Sequence, residues 1–471
     1  MTTATAIFAL VALTALVWAI RDFRRNSVRP RQLLVAWYGV YFGLVPPFVL
    51  MDRSYWSPRF YRSFSPDSFA FSAWLSLLGL VVLLLVFGLS GGKPRVSRTE
   101  EIEEAAQDGR PTQTTSRMRV LLFTGLLAVA TSITLNGGLS EVIGRISELR
   151  STSGGSGRRV LAAALMLGRH WILLAAIYFS LDYKLGDRLR SSRNFAMIAW
   201  AVSIFLALIS GGRATAINVL IAGLLTTQLA SRKIRPIQAI GVAAVAFFMI
   251  LYGKTILFQL GNDDFSSRDA DAVLSRTQSE GQLTVFIREF THPYLSLVQS
   301  VQLDYQQRLF GDYWYWAAKP FKLLGMSPPD SISYFNTYLT WGQWDSEVPP
   351  GLLAFGFLSL GTLGVVIHAA VAAFLVSVLE RILYAGSLLG KAMGVQAAII
   401  VPTLVSASDP ALLFQNYFVL GIPLLWVLGY RQQLRRADAK AHRTRVRQSA
   451  TRGPRPHARG RQLSRSGVSG S

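Results

Sequence analysis

Apolar residues in this chain come in runs rather than in stripes. Polar side chains are scarce on every face of 4–20, 33–51, 69–90, 120–135, 160–181, 194–210, 214–230, 236–253, 350–379, 390–407 and 411–429. A helix that is apolar all round has no face to show to water. A bilayer core of about 30 Å needs roughly 20 such residues per crossing. The pattern predicts an all-α polytopic integral membrane protein of about 11 transmembrane helices, within a range of about 10–12.

The intervals between runs are short, with two exceptions. Residues 91–118 form a loop of mixed charge that includes Glu100, Glu101, Glu103 and Glu104. Residues 254–349 form one large external loop within the transmembrane domain 1–430. In that loop Phe310-Gly-Asp-Tyr-Trp-Tyr-Trp is dense in the aromatics that favour a membrane–water boundary. Thr284–Phe290 and Leu295–Val301 read as short amphipathic helices, expected to lie on the outer surface and cap a cavity in the bundle. Residues 431–471 are rich in Arg, Ser and Gly and poor in apolar residues, so a disordered basic tail near the anionic inner leaflet is expected.

Charge turns this pattern into a topology. The formal net charge of +22 would suggest nucleic acid in a soluble protein, but its distribution follows the helices. With the N-terminus outside, the inside segments carry 32 of the 48 Lys/Arg residues. The positive-inside bias therefore predicts the N-terminus outside and the C-terminus in the cytoplasm, and no nucleic-acid partner is expected. The first run lacks a basic segment before it and is followed by Arg21, Arg24 and Arg25, which marks an anchor helix rather than a cleaved signal. The absence of cysteine excludes disulfides, thiol chemistry and Cys-zinc sites.

Motifs of soluble enzymes are missing: there is no phosphate-binding P-loop, no HExxH, no GxSxG and no Rossmann glycine set. Asp269-Ala-Asp271 matches the DxD pattern of metal–nucleotide-sugar sites, but no soluble nucleotide-binding fold surrounds it. The intramembrane charges are more telling, because a buried charge in lipid costs several kcal/mol unless it meets a partner or a wet cavity. Arg169 and its neighbour His170 lie midway along LAAALMLGRHWILLAAIYF, about eight residues from the nearest interface and beyond snorkelling reach. Helix interiors offer almost no carboxylate for Arg169, which points to an anionic ligand, and phosphate suits its guanidinium. Arg213 follows Gly211 and Gly212 at the outer start of a helix, where free N–H groups and the dipole favour an anion. Further along, Asn336, Thr337, Asp345 and Glu347 precede Pro349-Pro350-Gly351 and a glycine-spaced helix with Gly356, Gly361 and Gly364.

The hairpin Gly211-Gly212-Arg213, then Asn336-Thr337-Tyr338, Val348-Pro-Pro-Gly and Gly361-Thr-Leu-Gly364 resemble the O-antigen polymerase and ligase superfamily. So does the placing of one large external loop before the last three helices. The resemblance covers roughly residues 195–380 by motif and the rest by topology. It implies inverting glycosyl transfer on the outer face of the cytoplasmic membrane, polymerising polyprenyl-diphosphate-linked oligosaccharide repeat units into O-antigen, capsule or exopolysaccharide. No metal or cofactor is implied, and a chain-length regulator is an expected partner beside membrane lipids. On that resemblance Arg213 is a diphosphate ligand, while Arg169 joins it on the burial argument alone. Arg276 and Arg288 would track sugar or phosphate, and Asn336 is a further substrate-binding candidate. The base that takes the acceptor proton would be His292, Glu289, Asp345 or Glu347. Alternatives are a ligase that transfers finished glycan, a flippase or transporter, and a scaffold. A coupled transporter calls for acids within helices and an inverted repeat, and the sequence has neither.

Overall fold

The computed structural model describes residues 2–25, 29–56, 60, 63–90, 113–144, 157–185, 190–209, 213–231, 281–303, 332–342, 348–383, 388–401 and 403–407, with a few isolated positions beyond. Two compact units divide the chain, Met1–Ile422 and Pro423–Ser471, and every element below belongs to the first. No strand occurs among the described residues.

The helices are α1 (Thr2–Arg25), α2 (Pro30–Gly39), α3 (Val45–Met51), α4 (Pro66–Leu89), α5 (Gln113–Leu135) and α6 (Leu139–Gly144). They continue with α7 (Gly157–Met166), α8 (Arg169–Leu185), α9 (Arg190–Ile209), α10 (Arg213–Ser231), α11 (Gln282–Arg288) and α12 (His292–Gln302). The last are α13 (Ile332–Trp341), α14 (Leu352–Leu383), α15 (Leu388–Ile400) and α16 (Thr403–Ser406). Among the described residues eight helical stretches are long and apolar enough to cross a membrane, and Thr215–Ala230 of α10 is a shorter apolar one. Nine of the eleven apolar runs fall on these helices. The runs 236–253 and 411–429, the loop 91–112 and the tail lie outside the described residues.

The bundle has two ends. At one, the basic end, Arg29, Arg31, Arg119, Arg190, Arg193 and Arg381 gather. There Glu380 of α14 accepts the Arg31 backbone N–H at 3.0 Å and pairs with its guanidinium at 3.6 Å, while Arg381 donates to the Ser90 carbonyl at 2.6 Å. At the other, the loop end, residues 52–56 and 63–65, α11, α12 and α13 come together. Helices α1, α2, α4, α12 and α14 pack as one half of the molecule, and α5, α8, α9 and α10 as the other. Helix α15 touches α2 and α14 on one side and α8 and α10 on the other, and is buried all round from Ala392 to Ile400. Lipid cannot drive apolar helices together as water does, so close packing and hydrogen bonds carry the association.

Two expectations change. First, α12 is no surface helix: Pro293 to Ser300 are buried on every face. Its end is tied to the loop end, where Gln302 donates to the Ser63 carbonyl and accepts the Ser65 N–H, at 3.0 and 2.8 Å. Its start lies deep, with Pro293 packed on Gly351. Secondly, the run 350–379 is not one straight span. Leu360 and Gly361 (φ 60°, ψ −143°) break α14, and the arms fold against each other. Phe355 lies 4.6 Å from His368 between ring centroids, although a straight helix would hold them about 20 Å apart. The first arm, 352–359, is buried throughout and covered by Ile332, Phe335 and Leu339 of α13. Its Leu353 meets Gly79, about 20 Å into α4, whereas Phe357 reaches Phe71 near the α4 start. This arm therefore runs from mid-depth out to the loop end. The second arm, 362–383, returns to the basic end and exposes Leu363, Ile367, Val371, Phe374 and Leu375 as a lipid-facing stripe.

The fold-back needs glycine where the arms meet. A Cβ on Gly356 would come within 2.7 Å of the Gly364 carbonyl oxygen, and one on Gly364 would fall on the Gly356 carbonyl. Gly364→Ala is expected to lower the thermal midpoint of the detergent-solubilised protein, at a cost of about 1–3 kcal/mol or more. Gly88→Ala, with nothing within 4 Å, should leave the midpoint unchanged; equal midpoints for both variants would contradict the fold-back.

Candidate functional site

The loop end holds non-helical backbone at the depth of the bilayer, where every polar group needs an internal partner. Asn336 and Thr337 supply two of them. The buried Asn336 amide donates to the Val348 carbonyl at 2.9 Å and to Ser296 Oγ at 3.1 Å, and Thr337 Oγ1 accepts the Val348 N–H at 2.8 Å. Both N–H groups of Asn336 thus serve the fold rather than a ligand. Clamped at Val348, the chain passes Pro349 and Pro350 to Gly351 (φ 83°), where a Cβ would meet Pro293 at 2.7 Å and the Val405 carbonyl at 3.1 Å. The starts of α12 and α14 and the short helix α16 therefore converge at mid-depth.

Around this junction lies a polar and aromatic cluster. His292 Nε2 donates to the Ser406 carbonyl at 3.3 Å. Tyr41 bonds to the Ser406 side chain and lies within electrostatic reach of Glu289. Arg288 Nε donates to the Ser54 carbonyl at 2.6 Å, in a turn held by Asp52, whose carboxylate accepts the Ser54 N–H at 2.8 Å. That bond holds the Asp52 carboxyl below its ordinary range. Phe290 is buried between Trp37 and Tyr41, at 5.9 and 5.8 Å between centroids, and Phe286 stands 5.1 Å away. Trp37, Tyr41, Phe286, Arg288, His292 and Ser406 are half-buried and Glu289 is exposed. Nearby Tyr294 is wholly buried.

Tyr41 sits in a π-helical turn, Val40–Leu44, that separates α2 from α3. The cause is local: Pro46 and Pro47 cannot donate to the carbonyls four residues back, and the Val45 N–H reaches Val40 instead. Such wide turns recur at functional sites. The dipeptide Pro46-Pro47 within an apolar run was the sequence signal that could have exposed Tyr41 and Trp37; nothing local marked Ser406.

The arginine candidates lie in the other half of the bundle. Arg169 is half-buried and does not continue a helix but begins one, because Leu167 and Gly168 interrupt the run between α7 and α8. At that break Gly168 and Gly125 approach so closely that a Cβ on either would sit 3.0 Å from the other's carbonyl oxygen. Gly125 is ten residues from the end of α5, so Arg169 stands about 15 Å into the bundle from the loop end. Arg213 begins α10, which packs along α8. Arg169 and Arg213 thus share an end of the bundle with Glu289 and His292, across α15. On α15 the side-chain amide of the wholly buried Gln396 has no hydrogen-bond partner among the described residues. Asp269, Asp271, Arg276, Asp345 and Glu347 lie outside the described residues, as does the side chain of Arg213. The described residues include no cluster of three or more His, Asp or Glu able to hold a metal ion.

The chain matches no protein-family model, no curated protein and no solved structure.

Removing the Asn336 amide would orphan the Val348 carbonyl and the Ser296 hydroxyl in a buried site. Asn336→Ala is expected to cost about 1–3 kcal/mol per orphaned group, seen as a lower thermal midpoint in detergent. An unchanged midpoint would show that Val348 is held by something else.

Proposed function

We propose that this protein is a membrane glycosyltransferase that polymerises polyprenyl-diphosphate-linked oligosaccharide repeat units, with its loop end facing outward. The observation that carries the proposal is the gathering of ionisable groups at one end of an apolar bundle, with Arg169 about 15 Å deep at a helix start and Glu289 and His292 at the junction across α15. Groups so placed are costly in lipid and are retained where a polar ligand enters.

In the proposed reaction an acceptor hydroxyl attacks the anomeric carbon of the donor sugar. The bond from that carbon to the diphosphate oxygen breaks, the configuration inverts, and the hydroxyl proton passes to His292 or Glu289. Negative charge grows on the departing diphosphate, and fixed cations stabilise it more in the transition state than in the substrate. Arg169 fills that role, with Arg213 as its partner from α10. Asp345 and Glu347 remain alternative bases, Arg276 and Arg288 remain candidates for contacts along the glycan, and a chain-length regulator is a proposed partner. The clustering of Arg and Lys at the basic end supports a cytoplasmic position for that end, hence an outside N-terminus.

Purified protein reconstituted with synthetic lipid-linked repeats is expected to give a ladder of polymer. Arg169→Ala should slow it about 100-fold or more at normal protein levels. A single transfer without a ladder would indicate a ligase, and translocation without transfer a flippase; either would overturn the polymerase proposal.

Because the chain has no cysteine, single substitutions can report topology without a background. In intact spheroplasts Ser54→Cys should react with a membrane-impermeant maleimide and Arg193→Cys should not; the reverse would invert the orientation.

A further inference from the structure

The cluster beside the π-turn holds more than a base. Trp37, Tyr41 and Phe286 surround the buried Phe290 and leave part of each ring accessible. Trp37 and Tyr41 are themselves 5.8 Å apart, so the end of α2 and the π-turn present two adjoining rings. Glu289, exposed, and His292 and Ser406, half-buried, edge this wall. Tyr41 lies about 15 Å into the bundle, ten residues before the end of α3. The exposed Glu289 carboxylate, within electrostatic reach of Tyr41, gives this aromatic patch a polar edge that a wall facing lipid alone does not need. A site with an apolar wall and a few convergent polar groups suits a molecule that is apolar on one face and polar at its edge. A pyranose ring has that character, with C–H bonds on its face and hydroxyls around its rim.

We propose that this niche is a carbohydrate subsite that holds the acceptor sugar ring. Trp37 and Tyr41 form the wall against its C–H face, and Glu289 and His292 contact its hydroxyls. The inference rests on the glycosyl-transfer proposal and adds to it a sugar-binding surface on α2 and the π-turn. It also gives the π-turn a purpose, since the extra residue in that turn changes the helical phase between Trp37 and the outer residues of α3. Tyr41 acts as a positioning residue: its bond to Ser406 ties the wall to the residue whose carbonyl holds His292.

The test uses the full chain in nanodiscs and two probes: an array of free bacterial repeat-unit oligosaccharides, and undecaprenyl diphosphate alone. Wild type should bind at least one oligosaccharide. Trp37→Ala should weaken that binding about tenfold, as expected for loss of one stacked ring, whereas Trp37→Phe should largely retain it. Glu289→Gln should also weaken it, and undecaprenyl diphosphate should bind all four proteins alike. Oligosaccharide binding that is equal in wild type, Trp37→Ala and Glu289→Gln would overturn the subsite while leaving glycosyl transfer standing. Binding of undecaprenyl diphosphate without any oligosaccharide would also overturn it. Binding of neither probe would remove both the subsite and the function on which it rests.

Discussion

The clamp on Val348 is the interaction from which the loop end is built. Two buried side chains, Asn336 and Thr337, take both backbone groups of one residue at a depth where water cannot. With that residue satisfied, a stretch without helical hydrogen bonding can enter the bundle and turn at Gly351. Gly351 then admits Pro293 and the Val405 carbonyl to a contact that any side chain would block. The outward course of arm 352–359, the depth of the α12 start and the placing of Ser406 beside His292 all follow from that junction.

The division of the molecule into two halves gives the junction its functional meaning. Among the described helices α15 bridges them, and its buried surface is apolar apart from groups such as the Gln396 amide. Arg169 and Arg213 belong to one half, and Glu289, His292 and the aromatic niche to the other. In the proposed transfer these sets act on opposite partners, the cations on the leaving diphosphate and the acid–base groups on the acceptor.

Much of the fold was legible in the chain because an apolar run of sufficient length has few alternatives to a membrane helix. Nine of the predicted runs therefore coincide with helices, with bounds shifted by a few residues. Misread were the places where a run is apolar but not continuous. Gly168 interrupts one run, Gly361 folds another back, and Pro46-Pro47 widens a third, each without breaking the apolar pattern. The site was legible only in part. Ionisable residues stand out against apolar surroundings, which drew attention to Arg169, Glu289 and His292. Asn336 stood out equally, yet its amide is spent on the fold; Trp37 and Tyr41 did not stand out, because aromatics are ordinary in such helices.

The sequence by itself determined that the chain is a bundle of apolar helices, where most of them begin and end, and at which end its basic residues collect. Those features are local, set by the hydropathy of consecutive residues and by the charges that flank them. Only the tertiary structure decided that α12 and arm 352–359 are buried half-helices, that Asn336 is a tether, and that Trp37 and Tyr41 pack against Phe290. Composition cannot distinguish a helix that faces lipid from one enclosed by other helices, since both are apolar all round. The distinction comes from what packs against each face, and those partners lie far apart in the chain.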